Sequence, residues 1–195
     1  MALAHPTPLP FPKSEGSDSV VQPLQQDPVV EFAEQFTRLQ GKFSFCLDRN
    51  ELTDHFNRLC YQHQWTKIYC EEEQWKNIIP VNSLHNDIVT CEASVTSCEF
   101  LIARTGSIVM SSVHQGRIPS VYAPVHICIA YSSQLVYDIK DGLNALKNKY
   151  RQYLPSLITF ATGPSRTADI EKTLVVGVHG PKEVYCFLVE ESPNS

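Results

Sequence analysis

The apolar residues in the first third of the chain recur at helical spacing. One predicted helix carries its apolar face at Val29, Phe32, Ala33, Phe36 and Leu39. Asp27 can cap this helix and Pro28 can open it, because the first helical position needs no N–H donor, and Gly41 suits its end. After an alternating strand at 43–47, Asp48 begins a second helix, whose apolar face is formed by Leu52, Phe56, Leu59 and Cys60.

Short apolar or alternating runs predict that strands dominate the rest of the chain. These runs lie at 67–70, 88–91, 107–110, 125–130, 134–137, 157–162 and 184–189. Helical spacing returns over 139–153, and a further helix is expected to begin near Ser165. The runs at 125–130 and 157–162 are apolar nearly throughout, as is typical of strands covered on both faces. Alternating helices and strands with short connections predict an α/β layered domain.

The composition divides the chain into a tail and one domain. Residues 1–26 mix proline with Ser, Gly and Gln, which predicts a mobile tail, and residues 27–195 are expected to form a single domain. The first residues lack the pattern of a secretory signal, and no apolar run approaches the roughly 20 residues of a membrane helix. A soluble cytoplasmic protein without membrane insertion is therefore expected.

Charge and cysteine spacing argue against nucleic-acid, metal and iron–sulfur sites in this chain. A balance of 16 basic and 21 acidic residues gives a net charge of −5 without a basic stripe, so nucleic-acid binding is not expected. The seven cysteines are scattered without any CxxC pair, which is typical of free or buried thiols and not of zinc or iron–sulfur sites. We therefore expect no metal and no cofactor in this chain.

A small polar turn before the strand at 107–110 is the first candidate site. Thr105, Gly106 and Ser107 can aim backbone N–H groups and two hydroxyls at an anion, since glycine permits the positive φ of an anion-binding turn. Arg117 follows closely and can add a planar fork of donors for a carboxylate or a phosphate. A plain turn with solvated hydroxyls is the structural alternative.

The second candidate site is the run that leads from Thr162 into the helix expected near Ser165. In open α/β sheets, ligands bind outside the carboxyl ends of the strands, and a helix N-terminus there offers unpaired N–H donors. Ser165, Thr167 and the neighbouring amides can hold an anion that Arg166 neutralises. The alternative is a capped helix, which uses the same groups, so both interpretations can hold together.

Two histidines are candidates for proton transfer. His179 lies in the glycine-flanked run 177–181, which leaves the imidazole accessible, and imidazole groups titrate near neutrality. His126 begins an apolar strand and can face either a ligand or the core. The alternatives are a Gly-Pro turn bearing a histidine bonded to the main chain for His179, and a satisfied core residue for His126.

Several motifs taken together resemble one family. The motifs are the segments 101–110, 124–126, 133–136, 163–171 and 177–181. Their order and spacing resemble the LUD domain and, within it, the lactate-utilisation protein C family; the stretch from Gly163 to Pro181 is the most specific. Arg104 departs from the pattern, because it stands where an acidic residue is expected before Thr-Gly. This change is expected to strengthen anion binding or to alter the ligand.

The resemblance implies a fold and a function. The fold would be a three-layer α/β/α sandwich around a largely parallel sheet, akin to the phosphosugar-isomerase and CoA-transferase superfamily. The chain would be a component of a multi-protein system that oxidises L-lactate to pyruvate. It would act with a cysteine-rich protein and an iron–sulfur protein that carries the cluster, and it would bind a small carboxylate or one of these partners. Two alternatives stay open: a self-sufficient enzyme acting on a small phosphorylated or CoA-linked substrate, and a non-catalytic assembly or regulatory protein.

Overall fold

A computed structural model of the protein describes residues 26–113, 117–151, 153–169, 173–177 and 179–190. The helices in these ranges are α1 (Pro28–Arg38), α2 (Arg49–His63), α3 (Glu73–Lys76), α4 (Arg117–Tyr122) and α5 (Ile139–Tyr150). The strands are β1 (Lys42–Cys46), β2 (Ile68–Tyr69), β3 (Leu84–His85), β4 (Ala93–Thr96), β5 (Phe100–Ile102), β6 (Ser107–Ser111), β7 (Val125–Tyr131), β8 (Leu135–Val136), β9 (Ile158–Ala161), β10 (Arg166–Asp169), β11 (Thr173–Val176) and β12 (Glu183–Val189). Residues 1–25 of the expected tail lie outside these ranges. Within them, no helix is long and apolar enough to cross a membrane.

The caps predicted for the first two helices are confirmed. The Asp27 side chain accepts hydrogen bonds of 2.8 and 3.3 Å from two backbone N–H groups in the first turn of α1. The Asp48 side chain accepts two bonds of 2.8 Å in the same way at the start of α2. These N–H groups have no partner within the helix, so the acidic side chains determine where each helix begins.

Six strands form a parallel sheet, and four others form a second sheet. The order of the parallel sheet is β1-β12-β7-β4-β2-β3. The second sheet has the order β8-β5-β6-β9, in which β6 runs antiparallel to both of its neighbours. The predicted α/β class with a largely parallel sheet is therefore confirmed. The likeness to the phosphosugar-isomerase and CoA-transferase superfamily stays a prediction.

The central strand β7 separates two apolar cores. Ile127 and Ile129 face α2 and α3 on one side. Cys128 and Ala130 face α1 and the second sheet on the other side. The outer face of the second sheet is covered by α5. Every residue of β7 is buried, which confirms the double coverage expected for 125–130.

The prediction of a helix that begins near Ser165 is wrong. Residues Arg166–Asp169 form β10, which pairs antiparallel with β11. The stretch from 166 to 176 is rich in threonine and valine and has no apolar stripe at helical spacing. Because β-branched residues favour strands, a hairpin forms where a helix N-terminus was expected.

Two strand predictions also differ from the structure. The run 88–91 is not a strand, because the Asp87 carboxylate accepts hydrogen bonds from the Val89 N–H (3.0 Å) and the Thr90 hydroxyl (2.8 Å) and so forms a turn. The strand of this region, β4, begins at Ala93. The run 157–162 contains β9, but β9 is the edge strand of the second sheet and is only partly buried, so its expected coverage on both faces is wrong.

Candidate functional site

The Thr-Gly-Ser turn is packed against α1. Gly106 has a φ of +59°, and a Cβ at this position would lie 2.5 Å from the backbone nitrogen of Phe36. The Thr105 and Ser107 hydroxyl oxygens lie 2.7 Å apart, and the Ser107 oxygen lies 3.0 Å from Oγ1 of Thr162. The hydroxyls that were expected to hold an anion therefore bond to one another and to the next candidate loop.

The loop that follows β9 lies against the end of α1. Gly163 has a φ of +87°, and a Cβ there would lie 2.4 Å from the carbonyl oxygen of Leu39. Arg166 donates a 2.8 Å hydrogen bond from Nη2 to the same carbonyl. The two candidate loops are thus neighbours, but Arg166 is bonded to the main chain. Thr167 lies in β10 and Arg117 begins α4; the side chains of both lie outside the described part of the chain.

Three of the candidate residues meet in one cleft. His126, Ser165 and His179 line a cavity of about 260 Å³, which we call the histidine cleft. Ser120 of α4 and Thr162 also line it, and apolar side chains such as Met110, Phe160 and Val184 complete its walls. The Thr-Gly-Ser turn lies beside this cleft without lining it. A small, mostly apolar cavity with a few convergent polar groups is typical of sites for small molecules.

The histidine cleft lies near the amino ends of the parallel strands. His126 and Val184 are the second residues of β7 and β12, and they are paired in register. The loop 162–165 enters the cleft from the carboxyl end of β9, as expected, whereas His126 enters it from the amino end of β7. At the carboxyl edge, Arg49 donates to the Tyr131 hydroxyl (3.3 Å) and to the Gln74 carbonyl (2.8 Å). These bonds tie the start of α2 to the end of β7 and to α3.

His126 is a buried and uncharged side chain. It is 1% exposed, and its Nε2 lies 2.8 Å from Oγ1 of Thr96. Burial lowers the pKa of His126 to about 4, because the imidazolium form loses its hydration inside the protein. At neutral pH the ring is therefore neutral and can donate one hydrogen bond and accept another. The structure makes His126 both a satisfied core residue and a wall of the cleft.

The loops that carry Ser165 and His179 are tied together. The Ser165 N–H donates to the Pro181 carbonyl, and the Gly177 N–H donates to the Ser165 carbonyl, both at 2.9 Å. A Cβ at Gly180 would lie 3.0 Å from Cβ of Ser165, so these loops touch closely. His179 is exposed at the cleft, as the glycine-flanked run predicted.

Replacing His126 by glutamine is expected to remove a pH-dependent loss of stability. The ordinary pKa is 6.5 and the folded value is about 4, so only the unfolded chain takes up a proton between these values. The contribution of a neutral His126 is complete above pH 6.5 and is lost as the pH falls. Lowering the pH from 7 to 5 is expected to cost about 2 kcal/mol through this group.

Urea denaturation of the wild type and of His126→Gln across this pH range measures the effect. The difference between their free energies of unfolding should change by about 2 kcal/mol between pH 7 and pH 5. A difference that stays constant with pH would contradict the burial of a neutral imidazole.

Arg104 takes part in a structural ion pair outside the cleft. Its Nε lies 2.8 Å from Oδ2 of Asp138, the residue that caps α5. Burial opposes ionisation of Asp138, but the bonds from Arg104 and from the Lys140 N–H outweigh it and lower the pKa of this carboxyl. The role expected for Arg104 in anion binding is therefore not what the structure shows, since its charge is compensated by Asp138.

The seven cysteines are all buried and free, as their spacing predicted. Burial raises the pKa of Cys46 to about 11 and that of Cys60 to about 12, so these thiols stay protonated. Among the described residues, no group of three or more His, Cys, Asp or Glu side chains is arranged to hold a metal ion.

Similarity to known proteins covers most of the described chain. The sequence pattern of the LUD domain matches residues 29–189. A lactate utilization protein C of Deinococcus radiodurans is 33% identical over 107 residues, which are 54% of this chain and 50% of that protein. The lactate utilization protein C of Bacillus licheniformis is 38% identical over 100 residues, which are 50% of this chain and 42% of that protein. The matched region thus spans about half the length of these curated relatives.

A solved structure has the same fold. The crystal structure of a DUF162 family protein from Deinococcus radiodurans superimposes with a TM-score of 0.65 at 18% sequence identity. The match covers 83% of this chain and 96% of the other. The fold and the sequence pattern over residues 29–189 agree. The chain belongs to the LUD domain family.

Proposed function

We propose that this chain is a component of a multi-protein system that oxidises L-lactate to pyruvate, and that it binds a small carboxylate in the histidine cleft. The observation that carries the proposal is the meeting of His126, Ser165 and His179, which come from three separate segments, in one cavity of about 260 Å³. The relatives named lactate utilization protein C support the lactate system as the setting.

The chemistry of the cleft suits a small hydroxy acid. The apolar walls formed by Met110 and Val184 can contact a methyl group. The neutral ring of His126 can hydrogen-bond to a hydroxyl or a carbonyl oxygen without carrying charge. Ser165 and His179 lie at the same cleft and can receive the polar end of the ligand. A small carboxylate would thus be oriented by one apolar side and one polar side.

Oxidation of lactate to pyruvate removes two electrons and two protons. We place the electron acceptor, an iron–sulfur cluster, in a partner protein, with a cysteine-rich protein as the second partner. His179 would accept one proton of the substrate, since it is exposed at the cleft, and the second proton would pass to solvent. The two electrons would pass one at a time to the cluster of the partner protein. The isolated chain is therefore expected to show no lactate-dependent reduction of a dye.

Replacing His179 by alanine tests the proposal in a complex reconstituted from all partners. We expect kcat for lactate oxidation to fall about 100-fold, because the loss of a general base costs this order of rate.

Ser165→Ala is expected to raise the dissociation constant for L-lactate about tenfold, as measured by titration calorimetry.

The matched control is His85→Ala, because His85 lies on β3 and does not line the histidine cleft. This variant should keep both kcat and lactate affinity. If His179→Ala and Ser165→Ala leave turnover intact in an assembled complex, the chain acts in assembly or regulation and the proposed site is wrong.

A further inference from the structure

A second cavity, of about 300 Å³, lies between α2 and the edge strand β1; we call it the α2 cleft. Its walls come from β1, α2 and β12, and its lining residues differ from those around the histidine cleft. Leu59 and Phe187 give it an apolar side. Its other side carries hydrogen-bond donors.

Arg58 is the main donor without a partner in the α2 cleft. It is exposed on α2, and within the described part of the chain it makes no hydrogen bond or ion pair. A guanidinium has five N–H donors in a fixed fork that matches the oxygens of a phosphate or a carboxylate. Gln62, one helical turn further on, lines the same cavity and adds an amide.

Lys42 provides a second positive charge on the opposite wall. Its Nζ donates to Oε2 of Glu183 at 2.5 Å and to the hydroxyl of Tyr185 at 2.7 Å. Burial opposes the charge on Lys42, but these two bonds outweigh it and raise the pKa of this group, so the ammonium stays protonated. An ammonium has three N–H donors, so a bound anion would share Lys42 with Glu183 and Tyr185.

Ser44 and His55 form a hydrogen-bonded pair, which leaves one donor of the pair for a ligand. The Ser44 hydroxyl oxygen lies 3.0 Å from Nδ1 of His55, and both side chains line the cavity. Nε2 of His55 lies 3.8 Å from Oε1 of Glu51. The Glu51 carboxylate is held elsewhere, since its other oxygen accepts a 2.7 Å bond from the Leu47 N–H. Neither Glu51 nor Glu183 lines the cavity.

We propose that the α2 cleft binds a small phosphate monoester, with its phosphoryl group between Arg58, Lys42 and the Ser44–His55 pair. The donors come from a strand on one wall and a helix on the other, so they surround a tetrahedral group better than a planar carboxylate. The apolar side formed by Leu59 and Phe187 contacts the organic part of the ligand. The site is independent of the proposed lactate function.

Titration calorimetry of the full chain with inorganic phosphate and with glycerol phosphate tests this site. Both probes are expected to bind, and Arg58→Ala is expected to weaken both at least tenfold, because a charge-assisted contact is lost. Arg58 is exposed and makes no hydrogen bond or ion pair with the described residues, so this variant should be as stable as the wild type. Arg38→Ala, a change of another exposed arginine on α1, is the matched control and should leave both affinities unchanged.

Three outcomes would overturn the proposal. They are no detectable phosphate binding, equal weakening by Arg38→Ala and Arg58→Ala, and acetate or L-lactate binding at the Arg58 site as tightly as phosphate. The variant His179→Ala separates this site from the proposed lactate site, because it should lower kcat for lactate oxidation about 100-fold and leave phosphate affinity as it is.

Discussion

Replacing Glu99 by alanine is expected to lower the free energy of unfolding by about 3 kcal/mol. The Glu99 side chain is 1% exposed and accepts hydrogen bonds from Ser111 (2.5 Å), Tyr150 (2.6 Å) and Lys149 (2.7 Å). Burial opposes ionisation of Glu99, but these three donors outweigh it and lower the pKa of the carboxyl. The alanine variant leaves the donors that connect β6 and α5 without their common acceptor.

Urea denaturation at neutral pH measures this loss. The matched control is Glu73→Ala, since the Glu73 side chain is 85% exposed and, among the described residues, pairs with Lys76 alone, on the same helix. This substitution should change the free energy of unfolding by no more than about 0.5 kcal/mol. A loss for Glu99→Ala as small as that of the control would show that the buried network contributes nothing to stability.

Replacing Gly106 by alanine is expected to lower the free energy of unfolding by about 3 kcal/mol or more. The positive φ of +59° disfavours any side chain, and the added Cβ would lie 2.5 Å from the Phe36 nitrogen and 2.7 Å from the Gln35 carbonyl carbon. Backbone atoms of a helix cannot turn aside, so α1 must move away from the turn. Left-handed strain and overpacking each cost on the order of 1–3 kcal/mol.

Replacing Gly142 by alanine should raise the free energy of unfolding. Gly142 lies inside α5, and a Cβ there would meet its nearest neighbour, Cδ1 of Ile102, at an ordinary 3.5 Å. Alanine favours a helix over glycine by about 0.5–1 kcal/mol, so Gly142→Ala should stabilise the protein. Thermal unfolding of both variants measures the contrast, and a Gly106→Ala variant as stable as the wild type would contradict the packing described for Gly106.

Local signals in the sequence predicted the elements whose causes are local. Asp27 and Asp48 cap their helices through hydrogen bonds from N–H groups two or three residues away, so the sequence alone locates the start of each helix. The apolar run 125–130 predicted a strand buried on both faces, because a strand that is covered on both sides needs apolar residues at nearly every position. The pairing of β12 between β1 and β7 depends on distant contacts and has no local signal.

The candidate site was predicted in part. His126, Ser165 and His179 do share a cleft, and Ser107 does adjoin Thr162, but the segment after Ser165 is the strand β10 and not a helix. The compensation of Arg104 by Asp138 could not be foreseen, since their contact depends on how β8 pairs with β5. Ser120 was missed because a serine in a short helix gives no signal of burial in a cleft.

The position of β12 determines when this protein can fold during its synthesis. Lys42 of β1 pairs with Tyr185 of β12, 143 residues further along the chain. While the ribosome is still adding residues 47–182, β1 has no neighbouring strand, and the apolar faces of α1 and α2 have only part of the sheet to cover. The parallel sheet can close only after residues 183–189 have left the exit tunnel. Completion of the sheet therefore depends on distant contacts, and contacts of this kind slow folding and leave apolar surface exposed on the nascent chain.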